Sequence, residues 1–159
     1  MKNLFKSLIL LLTAVLTGIG SQAQQSIPED LGAKMPVNPD VTIGTLDNGL
    51  KYYIQENETP KNRAELRLVV NAGSILEDED QRGLAHFSEH MAFNGTKNFE
   101  KHKLINFLES IGMKFGAELN AYTGFDETVY MLTIPMDKEA YLDTGFMILA
   151  DWANHVTFA

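Results

Sequence analysis

Apolar residues between positions 41 and 156 change their spacing several times, and this switching limits the folds open to the chain. Residues 64–72 alternate, with Leu66, Leu68 and Val70 on one side and Glu65 and Arg67 on the other, which predicts a strand with one face on a core. Residues 41–46 and 50–56 flank Asp47-Asn48-Gly49. Asn-Gly readily takes the positive φ angles of a tight turn, so these segments predict an antiparallel hairpin. Residues 81–93 have helical spacing, with Asn94-Gly95 expected as a left-handed stop. In residues 100–111, Leu104, Leu108 and Ile111 recur at three- and four-residue steps and Gly112 closes the run, predicting a second helix. Residues 115–122 and 128–134 read as two further strands, the latter stopped by Pro135. Residues 138–156 predict a long packed helix with a stripe of Tyr141, Leu142, Phe146, Leu149, Trp152 and Val156. The order is β-β-β-α-α-β-β-α. Grouped strands separated by helices predict an α+β fold, an antiparallel or mixed sheet with helices packed on one face.

Ahead of this domain, Lys2 and Lys6 precede an apolar run from Leu8 to Ile19, and Ser21-Gln22-Ala23 offers small residues for a signal peptidase. The run is shorter than the roughly 20 residues that span a bilayer. Residues 1–23 are therefore expected to be a cleaved signal peptide, and the protein to be exported to a periplasmic or extracellular location. Residues 24–40 carry Pro28, Pro36 and Pro39 and predict an extended arm, with the domain occupying residues 41–159. Without the leader the chain has 11 basic against 21 acidic residues, a net charge of −10. Such a body repels phosphate backbones and anionic lipid, which argues against nucleic-acid partners and against membrane binding after signal cleavage. With no cysteine, thiol catalysis, Fe–S clusters and Cys-ligated zinc are excluded. Any metal must be held by His, Asp or Glu.

Two of the four histidines occur as His86-Phe87-Ser88-Glu89-His90. On a helix, His86, Glu89 and His90 fall within a sector of about 100° that also holds Arg82 and Phe93. Leu84, Phe87 and Met91 lie on the other side and are expected to pack. Histidines at i and i+4 can converge on one zinc ion (Zn2+), and Glu89 can take a proton from a water and pass it to a leaving amine. A catalytic zinc normally has three protein ligands and a water. His102 and His155 have no such company and are expected on the surface or in packing, although His155 could approach a metal in the folded chain. The acidic run at residues 77–80 lacks the spacing of a calcium loop and is expected to be solvated, favouring the helix that follows. Asn57-Glu58-Thr59 and Asn94-Gly95-Thr96 match the glycosylation pattern, which is too short to be informative.

The H-x-x-E-H order inverts that of ordinary zinc proteases. Together with Leu46-Asp47-Asn48-Gly49-Leu50, Asn71-Ala72-Gly73-Ser74, the run from Gly83 to Thr96 and Asn120-Ala121-Tyr122-Thr123, it closely resembles the pitrilysin/insulinase family of zinc metallopeptidases. The resemblance implies one quarter of a clam-like endopeptidase acting on peptides or small unfolded proteins. It implies His86 and His90 as zinc ligands and Glu89 as general base. Asn120 and Ala121 match the edge strand that receives an extended peptide, and Phe93 would line the pocket beside the metal. In the family the third ligand is a glutamate roughly 75 residues beyond the second histidine, whereas 69 residues follow His90 here. That ligand is expected past Ala159, and the chain is expected to be an amino-terminal piece, inactive or nearly so by itself, that works with the remaining domains of its parent. The competing expectation is a non-catalytic peptide-binding or assembly module of the same fold.

Overall fold

The computed structural model describes residue 32 and residues 34–114 and 116–158. The leader expected over residues 1–23, the first part of the arm and Phe115 lie outside the described residues. The chain divides after Glu56 into two units.

In the first unit, β1 (Val41–Thr45) pairs antiparallel with β2 (Lys51–Gln55), with Ile43 opposite Tyr53. The hairpin forms as expected, but its loop is wider than a two-residue turn. Gly49 donates its N–H to the Leu46 carbonyl and Leu46 donates to that of Leu50, both at 2.8 Å. Only Gly49 in this loop has positive φ, at 87°. The loop therefore needs one left-handed residue, and Asn48 instead accepts the Leu50 N–H through Oδ1.

The second unit is built on a three-stranded antiparallel sheet in the order β3-β5-β4, with β3 at Arg63–Val70, β4 at Leu119–Thr123 and β5 at Thr128–Pro135. Three helices accompany it: α1 (Leu84–Asn94), α2 (Lys103–Ser110) and α3 (Glu139–Asn154). The register sets Leu66 opposite Leu132 and Leu68 opposite Tyr130 on one side of β5, and Leu119 opposite Leu132 and Ala121 opposite Tyr130 on the other. Side chains alternate along a strand, so these residues share one sheet face. That face carries the core, where Tyr130, Leu132 and Ile134 meet Leu104 and Leu108 of α2 and Ile148 and Trp152 of α3. The architecture is the expected α+β layer with helices on one sheet face. No helix among the described residues is long and apolar enough to cross a membrane.

Several details differ from expectation. The long helix turns its Gly145, Ile148, Asp151 and Trp152 inward, and Phe146 remains 56% exposed. Gly145 is what lets this face approach the sheet, because a Cβ there would sit 2.8 Å from Leu66 Cδ1 and 3.0 Å from Ile134 Cγ1. β4 begins at Leu119 rather than near residue 115, since Gly116 (φ 90°) turns the chain and donates its N–H to the Leu119 carbonyl. α1 begins at Leu84 rather than residue 81. A short 3-10 turn, Glu79–Gln81, precedes it, and Gly83 breaks the run at φ 92°. At its other end Gly95 is extended (φ 179°), so the expected left-handed stop does not form. Helix α1 instead ends where the following loop is stitched to the tail of α3. Lys97 donates to the His155 carbonyl at 3.1 Å and Thr157 to that of Gly95 at 3.0 Å.

Candidate metal centre

Helix α1 lacks a side-chain cap at its N-cap residue, Gly83. The cap comes from upstream: the Glu77 carboxylate accepts the N–H groups of Gly83 and Ala85, each at 2.8 Å. These two bonds hold the Glu77 carboxyl below its usual value, the Ala85 contact contributing more than the Gly83 one. A carboxylate at this position also complements the positive end of the helix dipole. The loop carrying Glu77 is itself fixed, because Ser74 and Ile75 donate their N–H groups to the Gly124 and Phe125 carbonyls at 3.0 Å. Gly73 permits that approach, since a Cβ there would lie 2.5 Å from both carbonyl oxygens. The acidic run was expected to be solvated and to favour the helix through its charge, without a specific contact. Its first member instead anchors the helix, through a contact spanning six and eight residues that no short-range pattern announces.

The other end of α1 is held by α3. Trp152 donates its indole N–H to the Ala92 carbonyl at 3.1 Å, stacks on Tyr130 at 5.2 Å between centroids, and meets Phe93 edge-on at 5.4 Å. Asp151 is buried and accepts from Thr96 Oγ1 (2.6 Å), the Asn98 N–H (2.9 Å) and Asn98 Nδ2 (2.8 Å). Burial alone would raise its carboxyl pKa, but these hydrogen bonds and the nearby His155 ring prevail and hold it below the usual value. His155 Nδ1 lies 3.5 Å from Asp151 Oδ1, which gives this histidine a structural neighbour away from the cleft described next. His102 is the N-cap residue of α2, at φ 65°.

Between these anchors, α1 presents His86 and His90 one turn apart. Their Nε2 atoms lie 3.0 Å from each other and their ring centroids 4.7 Å apart. Two nitrogens each 2.0–2.1 Å from one tetrahedral ion would be about 3.3 Å apart, so the rings already converge as two ligands of a single zinc would. Glu89 is 7% exposed, and its Oε2 accepts the Thr123 hydroxyl at 2.7 Å. His86, Glu89, His90, Phe93, Asn120 and Ala121, all singled out in the sequence, line one open cleft of about 520 Å³. Ser74, Glu77, Gly83, Tyr122 and Thr123 complete its wall. Among the described residues no third His, Asp or Glu converges with the two histidines. The donor set therefore fits zinc as two ligands of the usual three.

Of the three residues on the helix face expected to pack, Met91 is half-buried but Leu84 and Phe87 are not. Leu84 is 53% and Phe87 56% exposed, while Glu89 and Ala92 are buried. The reason is tertiary: Thr123 satisfies the Glu89 head group, and Trp152 draws in Ala92 and Phe93. A carboxylate with a partner can be buried, so hydropathy alone misjudges the rotation of α1. Burial pushes the Tyr130 hydroxyl pKa up, and the Glu89 charge adds to that shift. β4 pairs only with β5 among the described strands, so Asn120 and Ala121 stand on a sheet edge.

This fold and cleft define a metallopeptidase-like domain, and comparison with known proteins agrees. The profile of the insulinase family, peptidase family M16, matches residues 52–159, and the chain belongs to that family. A Haemophilus influenzae protein named "Probable zinc protease PqqL" is 43% identical over 136 residues, covering 86% of this chain and 15% of its own length. A zinc protease PQQL-like protein of Arabidopsis thaliana is 49% identical over 129 residues, covering 80% of this chain and 13% of its own. The crystal structure of the first half of the periplasmic protease PqqL from Escherichia coli superposes with a TM-score of 0.76 at 41% identity, over 80% of this chain and 27% of that one. The chain thus spans about 15% of the length of the curated relatives it matches.

Proposed function

We propose that this chain is the amino-terminal, metal-binding part of a longer zinc endopeptidase that hydrolyses peptides or small unfolded proteins. The observation that carries the reading is the convergence of the His86 and His90 Nε2 atoms at 3.0 Å beside the buried Glu89. Family membership and relatives named as zinc proteases support it. In this reading His86 and His90 hold the ion, and a third ligand comes from the parent beyond these residues. A zinc ion held there would lower the pKa of a water and polarise the scissile carbonyl.

The chain's own groups supply the rest. Glu89 accepts a proton from the attacking water and returns it to the leaving amine nitrogen, so the carboxylate is regenerated at the end of the cycle. The exposed edge of β4 at Asn120 and Ala121 receives the substrate backbone in extended form, which gives affinity with little sequence preference. Phe93 forms the apolar wall next to the histidines. The remaining domains of the parent close the chamber and complete the metal site, so residues 1–159 alone are expected to bind zinc weakly and turn over little substrate. Export to the periplasm or cell exterior fits both the leader-like residues 1–23 and the relative described as a periplasmic protease.

The test is hydrolysis of an unstructured peptide by the full-length parent enzyme. Activity should disappear with a chelator, return with zinc, and be lost in Glu89→Gln even though zinc content is retained. Ordinary turnover by Glu89→Gln would remove Glu89 from the role of base.

A further inference from the structure

A buried carboxylate needs a donor, and Glu89 has one that belongs to a different element from its own helix. Thr123, 34 residues away on β4, donates its hydroxyl to Glu89 Oε2 at 2.7 Å. The direction of this bond is fixed by chemistry: an ionised carboxylate only accepts, while a threonine hydroxyl has one proton to give. A bond of this length to a charged acceptor belongs to the strong class. It commits Oε2 to the strand and restricts rotation of the carboxylate plane, leaving Oε1 as the oxygen free for a proton. Thr123 lies two residues beyond Ala121 and so shares its strand face. It also lines the same cleft as the two histidines.

We propose that Thr123 is the positioning residue for the general base. Its hydroxyl holds Glu89 Oε2 so that Oε1 takes the water proton, and it ties the aim of the base to the strand on which the peptide is seated. The inference rests on the reading of Glu89 as base given above. The proton balance is unchanged by it: the water O–H bond breaks, an O–H bond forms at Oε1, and that proton later leaves on the product amine, while the Thr123 proton stays on its own oxygen.

The experiment uses the full-length parent enzyme with Thr123→Val, which keeps the β-branch and removes the hydroxyl, and Thr123→Ser, which keeps the hydroxyl. Loss of a hydrogen bond to a charged group is expected to lower kcat by about 10- to 100-fold in Thr123→Val. KM and zinc content should stay near those of the parent, and Thr123→Ser should recover most of the rate. A readout independent of turnover is the crystal structure of each metal-free variant. Glu89 should keep one carboxylate orientation in the parent and Thr123→Ser and lose it in Thr123→Val. If Thr123→Val does not fold, Thr123→Ala replaces it. An unchanged kcat in Thr123→Val beside an inactive Glu89→Gln would overturn the role of Thr123 and leave the peptidase reading standing. So would a rise confined to KM, which would make Thr123 a substrate contact. Activity in Glu89→Gln itself would remove the base, and this inference with it.

Discussion

The two ends of helix α1 are held by opposite kinds of chemistry. At the C-terminal end, α3 supplies a buried clasp: the Trp152 indole on the Ala92 carbonyl, aromatic contacts with Phe93 and Tyr130, and Asp151 gripping Thr96 and Asn98. At the N-terminal end the hold is a single, more solvated carboxylate, Glu77, on two backbone N–H groups. The first is packing joined to a hydrogen-bonded network in the interior, and the second is electrostatics and hydrogen bonding near water. His90 lies nearer the buried clasp and His86 nearer the solvated one. The two imidazoles therefore depend on different parts of the chain for their placement.

Variants should separate the two ends, beginning with the largest effect. Trp152→Ala removes the centre of the aromatic cluster and should destabilise the second unit by about 3–5 kcal/mol in denaturant unfolding. Trp152→Phe, which keeps most of the ring and loses the indole N–H, should cost only about 1 kcal/mol. Asp151→Ala leaves Thr96 and Asn98 without their acceptor inside the fold and should cost about 2–3 kcal/mol.

Acid should reveal the same clasp. The Asp151 carboxyl titrates below its usual 3.8 in the folded chain. Its contribution is therefore complete above about pH 4 and is lost as pH falls through the depressed folded value. The melting temperature of the parent should consequently fall more steeply below pH 4 than that of Asp151→Asn. Glu77→Gln should have the smallest global effect. It removes the charge and turns one of the two accepting oxygens into an amide donor, so one of the two cap bonds is lost at a solvated helix end. Melting should change little, while amide exchange at Gly83 and Ala85 speeds up. A large loss of global stability in Glu77→Gln, or faster exchange spread evenly along α1, would break the distinction between the ends.

What could be read in the sequence follows the range of the forces involved. The strands, the three helices, the hairpin and the i, i+4 histidine pair rest on local spacing and turn chemistry, and they appear close to where those patterns place them. The rotation of α1 does not, because it is decided by partners 34 residues away at Thr123 and 60 residues away at Trp152. Leu84 and Phe87 suit a packed face on hydropathy alone, yet the helix buries Glu89 and Ala92. Phe146 misleads in the same way, since Gly145 and Asp151 mark the inward side of α3. The cap from Glu77 escapes because capping patterns look within one turn of the helix start. Gly95 escapes because the helix is ended by long-range backbone bonds rather than by a left-handed residue.

The hairpin marks the limit of local reading. Its register is set by Asp47-Asn48-Gly49, but Ile43, Leu46, Tyr53 and Ile54 are all at least 47% exposed within the described chain. The turn chemistry between the strands specifies a hairpin without specifying what its apolar residues cover.

The central claim is that His86 and His90 hold a zinc ion beside Glu89. Its most direct test is an anomalous-scattering map, collected at the zinc edge, from crystals of the zinc-replete parent enzyme. The account predicts a peak about 2.0–2.1 Å from both Nε2 atoms, with the rings no longer bonded to each other. An empty map at that point, with the two imidazoles still in mutual contact, would contradict it.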